Sequence, residues 1–186
     1  MDLLESLRQH RCADEAESRD RDHIVAFIAR NPDPFDRRIA EGHLTASALV
    51  ISASGDRVLL LHHRKLDRWL QPGGHAEPGE TMAEAIALRE AREETGVEGL
   101  ELHPAAPRPL DVDVHAIPAR GEEAAHQHLD LRYLVLAPDR AAVVLNADES
   151  HALRWFEWGE LNGLHLDPGL VRALAKARAV FSAARP

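Results

Sequence analysis

The chain has 186 residues and a net charge of −9, from 22 basic and 31 acidic residues, with 45% apolar content. That length carries one well-buried domain plus a small extension, and an acidic balance with no basic run argues against a nucleic-acid duplex as partner. The single cysteine, Cys12, excludes an intrachain disulfide framework, and no apolar run approaches the ~18 residues of a membrane span, so no membrane partner is expected and a cytoplasmic protein is.

In chain order, residues 2 to 31 read as helical, with Leu3, Leu4 and Leu7 in one segment and the run His23 to Ala29 in another. Asn31-Pro32-Asp33-Pro34 then stops any helix. Residues 1–40 are therefore expected to form an N-terminal helical extension to a domain over 41–186, packed on that domain or on a second subunit of a homodimer. Nothing in the extension suggests chemistry.

From His43 the pattern changes to strands. HLTASALVISA and RVLLLHH are joined by Ser54-Gly55-Asp56, a hairpin signal. A glycine-rich loop follows, then a helix over 82–95. Thr81 with Glu84 three residues on is a capping-box signature for its start, and Gly96 is a natural stop. Ile86 and Leu88 lie on different sides of this helix, which predicts cover on more than one face. LELH, then LDVDVHAI and HQHLDLRYLVLA around a loop at 118–125, read as further strands, the last two as an antiparallel pair. HALRWFEW is a final strand and 168–183 a terminal amphipathic helix. The order predicts an α/β fold, an α/β/α sandwich around a central mixed β-sheet.

The chemistry concentrates between Gly73 and Val97, GGHAEPGETMAEAIALREAREETGV. Glu90, Glu93 and Glu94 are three and four residues apart, so a helix sets their carboxylates on neighbouring ridges of one face. Like charges at that spacing repel. Taken alone, such a run is most often a solvated acidic face, but beside a Gly-Gly loop it suits a hard divalent cation that takes oxygen ligands and bridges to phosphates.

This run resembles the Nudix box: Gly, five residues, Glu, seven residues, then Arg-Glu-apolar-x-Glu-Glu-x-Gly-apolar. Gly74 and Glu80 fit the first spacing, and Arg89, Glu90, Ala91, Glu93, Glu94, Gly96 and Val97 fit the second half. Eight residues, Thr81 to Leu88, stand where the pattern has seven, a departure that bears on the partnership of Glu80 with Arg89 rather than on the acidic half. The flanks Trp69-Leu70-Gln71-Pro72 and Arg154-Trp155-Phe156 also look like the family, and the resemblance spans roughly 43 to 180.

The resemblance implies a metal-dependent hydrolase that cleaves a phosphoanhydride in a nucleoside diphosphate linked to another moiety. It implies Mg2+, with Mn2+ as the alternative, held by Glu90, Glu93, Glu94 and a loop carbonyl such as that of Gly74. Arg89 would orient the glutamates, and Glu90 is preferred as general base over Glu122, Glu123 and Glu149. Of the basic residues before the loop, Arg64 is the chosen phosphate ligand, against the plain reading of a solvated strand end. Trp69 is more readily core than a base-stacking ring. Two alternatives stand beside the hydrolase: a non-catalytic nucleotide-ligand sensor on the same fold, and an isopentenyl-diphosphate-isomerase-like enzyme, which would need an active-site cysteine.

A second cluster falls in the later hairpin. By period two, Asp111, Asp113 and His115 share one strand face, and His126, His128, Asp130 and Arg132 share one face of the next. This is read as a pocket wall, with His126, His128 and Arg132 contacting substrate, as an ordinary solvent-facing side, or as a transition-metal site.

Overall fold

The computed structural model describes residues 2–121, 124–148 and 150–183. Two helices open the chain, α1 (Leu3–Arg8) and α2 (Glu15–Arg30). Each starts at an aspartate, Asp2 and Asp14, whose side chain accepts the N–H three residues on, satisfying an otherwise orphaned donor. The Asp14 cap separates the two segments of this helical stretch.

The strands follow as β1 (Gly42–Ser52), β2 (Arg57–His63), β3 (Arg68–Leu70) and the two-residue β4 (Gly73–Gly74); then α3 (Ala83–Thr95); then β5 (Glu101–Leu102), β6 (Asp111–Ile117), β7 (His126–Ala137) and β8 (Ser150–Glu157). A 3-10 turn, Glu160–Gly163, leads to α4 (Pro168–Ala183). The sheet order is β3-β2-β1-β7-β5, with β4 also on β1, β6 also on β7 and β8 also on β2. β1 and β7 run parallel over eleven residue pairs, from Gly42–Gln127 to Ser52–Ala137, whereas the other pairs are antiparallel. The expected mixed sheet and both expected hairpins are present.

Alternation along β1 and β7 splits the core in two. Leu44, Ala46, Ala48 and Val50 of β1, with Leu129, Leu131, Tyr133 and Val135 of β7, pack with Leu7, Ile24 and Phe27 of the first two helices and Ile86, Ala87 and Ala91 of α3. Leu49, Ile51 and Leu134 point the other way, against Leu170, Ala173, Leu174 and Ala177 of α4. The result is an α/β/α arrangement. Among the described residues no helix is long and apolar enough to cross a membrane.

One local expectation fails. The N-cap of α3 is Met82, with no side-chain cap hydrogen bond, so the Thr81/Glu84 capping box is not formed. Burial of Ala83, Ile86 and Ala87 against the sheet sets where the helix begins, and this outweighs a local cap worth about 1 kcal/mol. At the other end Gly96 adopts the left-handed conformation (φ 64°) and its N–H donates to the Arg92 carbonyl, as expected of a glycine stop.

The face carrying Asp111, Asp113, Asp130 and Arg132 is interior rather than solvent-facing. Asp111 pairs with Arg132 and Asp113 with Asp130 across β6 and β7, and the Arg132 guanidinium lies 3.4, 3.1 and 3.2 Å from Asp111, Asp113 and Asp130. Arg172 of α4 covers the group, donating to Asp111 (2.8 and 3.0 Å) and to the Val112 carbonyl (2.8 Å). The network continues into α2, where the fully buried Glu17 accepts from Lys176, from His10 (2.7 Å) and from the Ala13 N–H (2.6 Å). Helices α2 and α4 thus cover the charged face of β6 and β7.

Burial alone would raise the Glu17 carboxyl, but the hydrogen bonds from His10, Lys176 and Ala13 outweigh it and hold the group well below the usual carboxylate range. A carboxyl with a lowered folded-state pKa adds stability that is complete above its unfolded value, ~4.3, and disappears as pH falls below it. We expect Glu17→Gln to lower the melting temperature at pH 7, and the gap from wild type to shrink as pH is taken from 5 to 3. A pH-independent gap in thermal melts would show that the ion pairs contribute nothing.

Candidate functional site

The glycine-rich loop is pinned at two levels. β4 pairs Gly73 with Ser47 and Gly74 with Ala46 of β1, and the Gly73 N–H donates to Glu94 Oε2 at 2.8 Å. Glu94 is thereby buried at the end of α3, while the Glu93 side chain remains half exposed. Gly74 lies against the remaining glutamate: a Cβ there would stand 2.7 Å from the Glu90 carboxyl carbon. The three acidic residues therefore meet the loop as one group, each in a different environment.

Arg89 holds this group together. Its guanidinium forks onto Glu80 (Nε–Oε1 3.0 Å, Nη2–Oε2 2.9 Å), shares Nη1 between Glu90 (3.2 Å) and Glu93 (2.9 Å), and sends Nη2 to the His75 carbonyl (2.7 Å). Hydrogen bonding to Glu80 is the main reason its pKa is raised further, and the same contact lowers Glu80. The extra residue between Glu80 and Arg89 does not disturb their pairing. Glu80 closes a turn of its own, donating its N–H to the Glu77 carbonyl (3.0 Å) and accepting from the Glu77 N–H (2.8 Å), and this turn sets the carboxylate opposite the guanidinium whatever the count to the helix.

An array of carboxylates on one helix face, with a backbone loop close to one of them, offers hard oxygen donors of the kind Mg2+ or Mn2+ takes. A matching sequence model makes the kinship definite. Residues 42–177 match the NUDIX domain. The chain belongs to the Nudix family. A probable DHNTP pyrophosphohydrolase of Lactococcus lactis subsp. cremoris is 34% identical over 101 residues, 53% of this chain and 57% of that protein, so the chain spans little more than half the length of this relative. Among solved structures, a C. elegans Ap4A hydrolase has the same fold (TM-score 0.59, 21% identity, 75% of this chain and 98% of that one). A Nudix-family hydrolase from Clostridium perfringens superposes with a TM-score of 0.56 at 25% identity, covering 74% and 97%.

The other sequence-derived residues are scattered. Arg64 lies in the exposed turn after β2, its Nη2 donating to the Ala147 carbonyl at 2.6 Å. Trp69 packs edge-on against Phe156 (4.8 Å between centroids), as core. Arg132 is 3% exposed and enclosed by Asp111, Asp113 and Asp130, an internal counter-ion and not part of an open wall. His126 and His128, by contrast, sit beside the Nudix loop: His128 Nε2 is 3.2 Å from His75 Nε2 and 3.3 Å from His126 Nε2. Glu122, Glu123 and Glu149, the alternative bases, lie outside the described residues.

Sequence reasoning missed two members of this imidazole group, His43 and His75. His75 follows Gly74, at a position that the motif leaves unspecified. His43 is the second residue of β1, and its place beside His128 follows from the parallel register. Burial is the main cause that lowers His75 to about 4 and His128 to about 2, reinforced by neighbouring cations and imidazoles.

The two loop glycines differ in what a methyl would meet. At Gly73 (φ 156°) a Cβ would stand 2.5 Å from the Ser47 Cα, which is backbone. At Gly74 its three nearest atoms would all belong to the movable end of Glu90. We expect Gly73→Ala to destabilise by about 1–3 kcal/mol and Gly74→Ala to leave the melting temperature within a few degrees of wild type while displacing the Glu90 carboxylate. Equal melting temperatures for the two variants would contradict this reading of the loop.

Proposed function

We propose that the protein is a metal-dependent hydrolase of phosphoanhydride bonds, acting on a nucleoside diphosphate linked to another moiety. The observation that carries this reading is the complete Arg89 network, which gathers Glu80, Glu90, Glu93 and the His75 carbonyl around one guanidinium while Glu94 grips the loop. A ligand sensor has no need of a carboxylate array held in this way. The isomerase alternative loses support because Cys12 sits between α1 and α2, near the His10 carbonyl and within the cluster of His10 and Glu17.

Glu90, Glu93 and Glu94, with the Gly74 carbonyl, would hold Mg2+ or Mn2+. Once bound, such an ion neutralises phosphate charge and lowers the pKa of a coordinated water. The chain's own groups supply the remainder. Arg89 fixes Glu90 and Glu93 in position through Nη1, and the Glu90 carboxylate takes the proton of the attacking water. A general base of this kind contributes typically 10²–10⁴-fold. Arg64 is proposed to meet the outer phosphate from the turn after β2, giving up its bond to Ala147. Arg132 we assign to support of the sheet, not to substrate.

The L. lactis relative and the C. elegans neighbour are named for DHNTP and for Ap4A, so both compounds belong in a substrate panel with nucleotide sugars, nucleoside triphosphates and ADP-ribose. With Mg2+ present, at least one member should be hydrolysed, and EDTA should abolish turnover until Mg2+ is restored. Glu90→Gln should cost about 10²-fold or more in kcat. Arg89→Lys, which cannot form the fork onto Glu80, should lower kcat more than it lowers the melting temperature. Binding of a panel member without turnover, unchanged in Glu94→Gln, would favour the sensor reading.

A further inference from the structure

We propose that His43, His75 and His128 form a second metal site, for an imidazole-preferring divalent transition ion such as Zn2+ or Co2+. One nitrogen from each of His43, His75 and His128 lies within 4.8 Å of the other two. The rings come from three separate elements: β1, the residue after β4, and β7. Their centroids are 5.0, 5.0 and 4.8 Å apart, and His126 stacks on His43 at 5.1 Å.

The spacing suits tetrahedral coordination. With metal–nitrogen bonds of about 2.0–2.1 Å, two ligands of a tetrahedral ion are about 3.3–3.4 Å apart. His75 and His126 stand at 3.2 and 3.3 Å from the same atom, His128 Nε2. One imidazole nitrogen carries either a proton or a lone pair, so a single hydrogen bond accounts for one of these approaches and not comfortably for both.

Tautomers point the same way. His126 Nδ1 is 2.9 Å from the Ala124 carbonyl; a carbonyl only accepts, so Nδ1 carries the proton, and in the neutral ring Nε2, facing His128, carries the lone pair. His115, whose ring lies 5.5 Å from that of His128, is held by the Asp113 carboxylate at 3.0 Å through Nδ1. His126 and His115 thus stand beside the three ligands as oriented neighbours.

This site differs in chemistry from the glutamate site. Imidazoles favour Zn2+ and its neighbours, whereas carboxylates, carbonyls and water suit Mg2+ and Mn2+. The two are joined by one residue: the His75 carbonyl accepts from Arg89 while its ring faces the histidine group. An ion on the imidazoles would tie the glycine-rich loop to β1 and β7 and so stiffen the backbone against which Glu90 rests.

The test uses the full chain freed of metal by chelation and dialysis, with excess Mg2+ present. Titration with Co2+ should give the intense visible bands of tetrahedral coordination at one equivalent, and Zn2+ should displace them. Zn2+ should raise the melting temperature of the wild type. His75→Asn, at a partly exposed position, and His128→Asn should each weaken binding at least tenfold and remove the thermal shift, while Glu94→Gln should leave both intact. Far-UV circular dichroism checks that the variants fold; if His128→Asn does not, His75→Asn decides alone. The proposal is overturned by octahedral or absent Co2+ bands, by binding that survives both histidine variants, or by binding lost in Glu94→Gln.

Discussion

The parallel pairing of β1 with β7 is the constraint on which the rest of the molecule depends. Its eleven residue pairs are buried along almost their whole length, and because successive side chains alternate between faces, this one register fixes two surfaces at once. On one, the aliphatic residues meet α3 and the first two helices. On the other, His43 faces the level of His128, Thr45 and Ser47 hydrogen-bond Asp130 at 3.1 and 2.7 Å, and Leu49 and Ile51 meet α4. A slip of one residue would exchange the faces and put Thr45, Ser47 and Asp130 where Ala46, Ala48 and Leu131 now pack.

Two arginines then organise charge on this frame, by the same means. Arg89 collects glutamates at a half-open edge of α3, where one face of the array stays accessible. Arg132 collects aspartates in the interior, where Arg172 and the buried Glu17 complete the compensation. Removing water from a charge is costly unless it is paired and hydrogen-bonded, and in the interior each carboxylate has its partners. At the edge the carboxylates outnumber the guanidinium, an excess of negative charge beside a backbone loop. That imbalance separates a site from a support.

The acidic site was legible in the sequence because its parts are local. Glu90, Glu93 and Glu94 lie on one face by helical spacing alone, Gly96 ends the helix by its own backbone freedom, and Arg89 is within a turn of Glu90 and Glu93. The Glu80 pairing was less legible: a residue count suggested a disturbed contact, whereas the turn at Glu77–Glu80 sets the carboxylate independently of the count. The hairpin of β6 and β7 was read with the right strands, faces and partners, but a pattern of alternating charged residues does not say what covers it. Here the cover is α2 and α4, 61 residues separating Arg172 from Asp111, and a contact at that separation leaves no periodicity to read.

The sequence by itself determined the Nudix motif, the chemical class of its donors and the mixed α/β order of elements, because each rests on neighbours in the chain. Only the tertiary structure decided that Arg132 is an internal counter-ion, that α2 and α4 cover the charged face of β6 and β7, and that His43 and His75 join His128. Those outcomes depend on which strands lie side by side and in what register, and a parallel pairing between residues about 85 apart is fixed by packing both faces of the sheet at once.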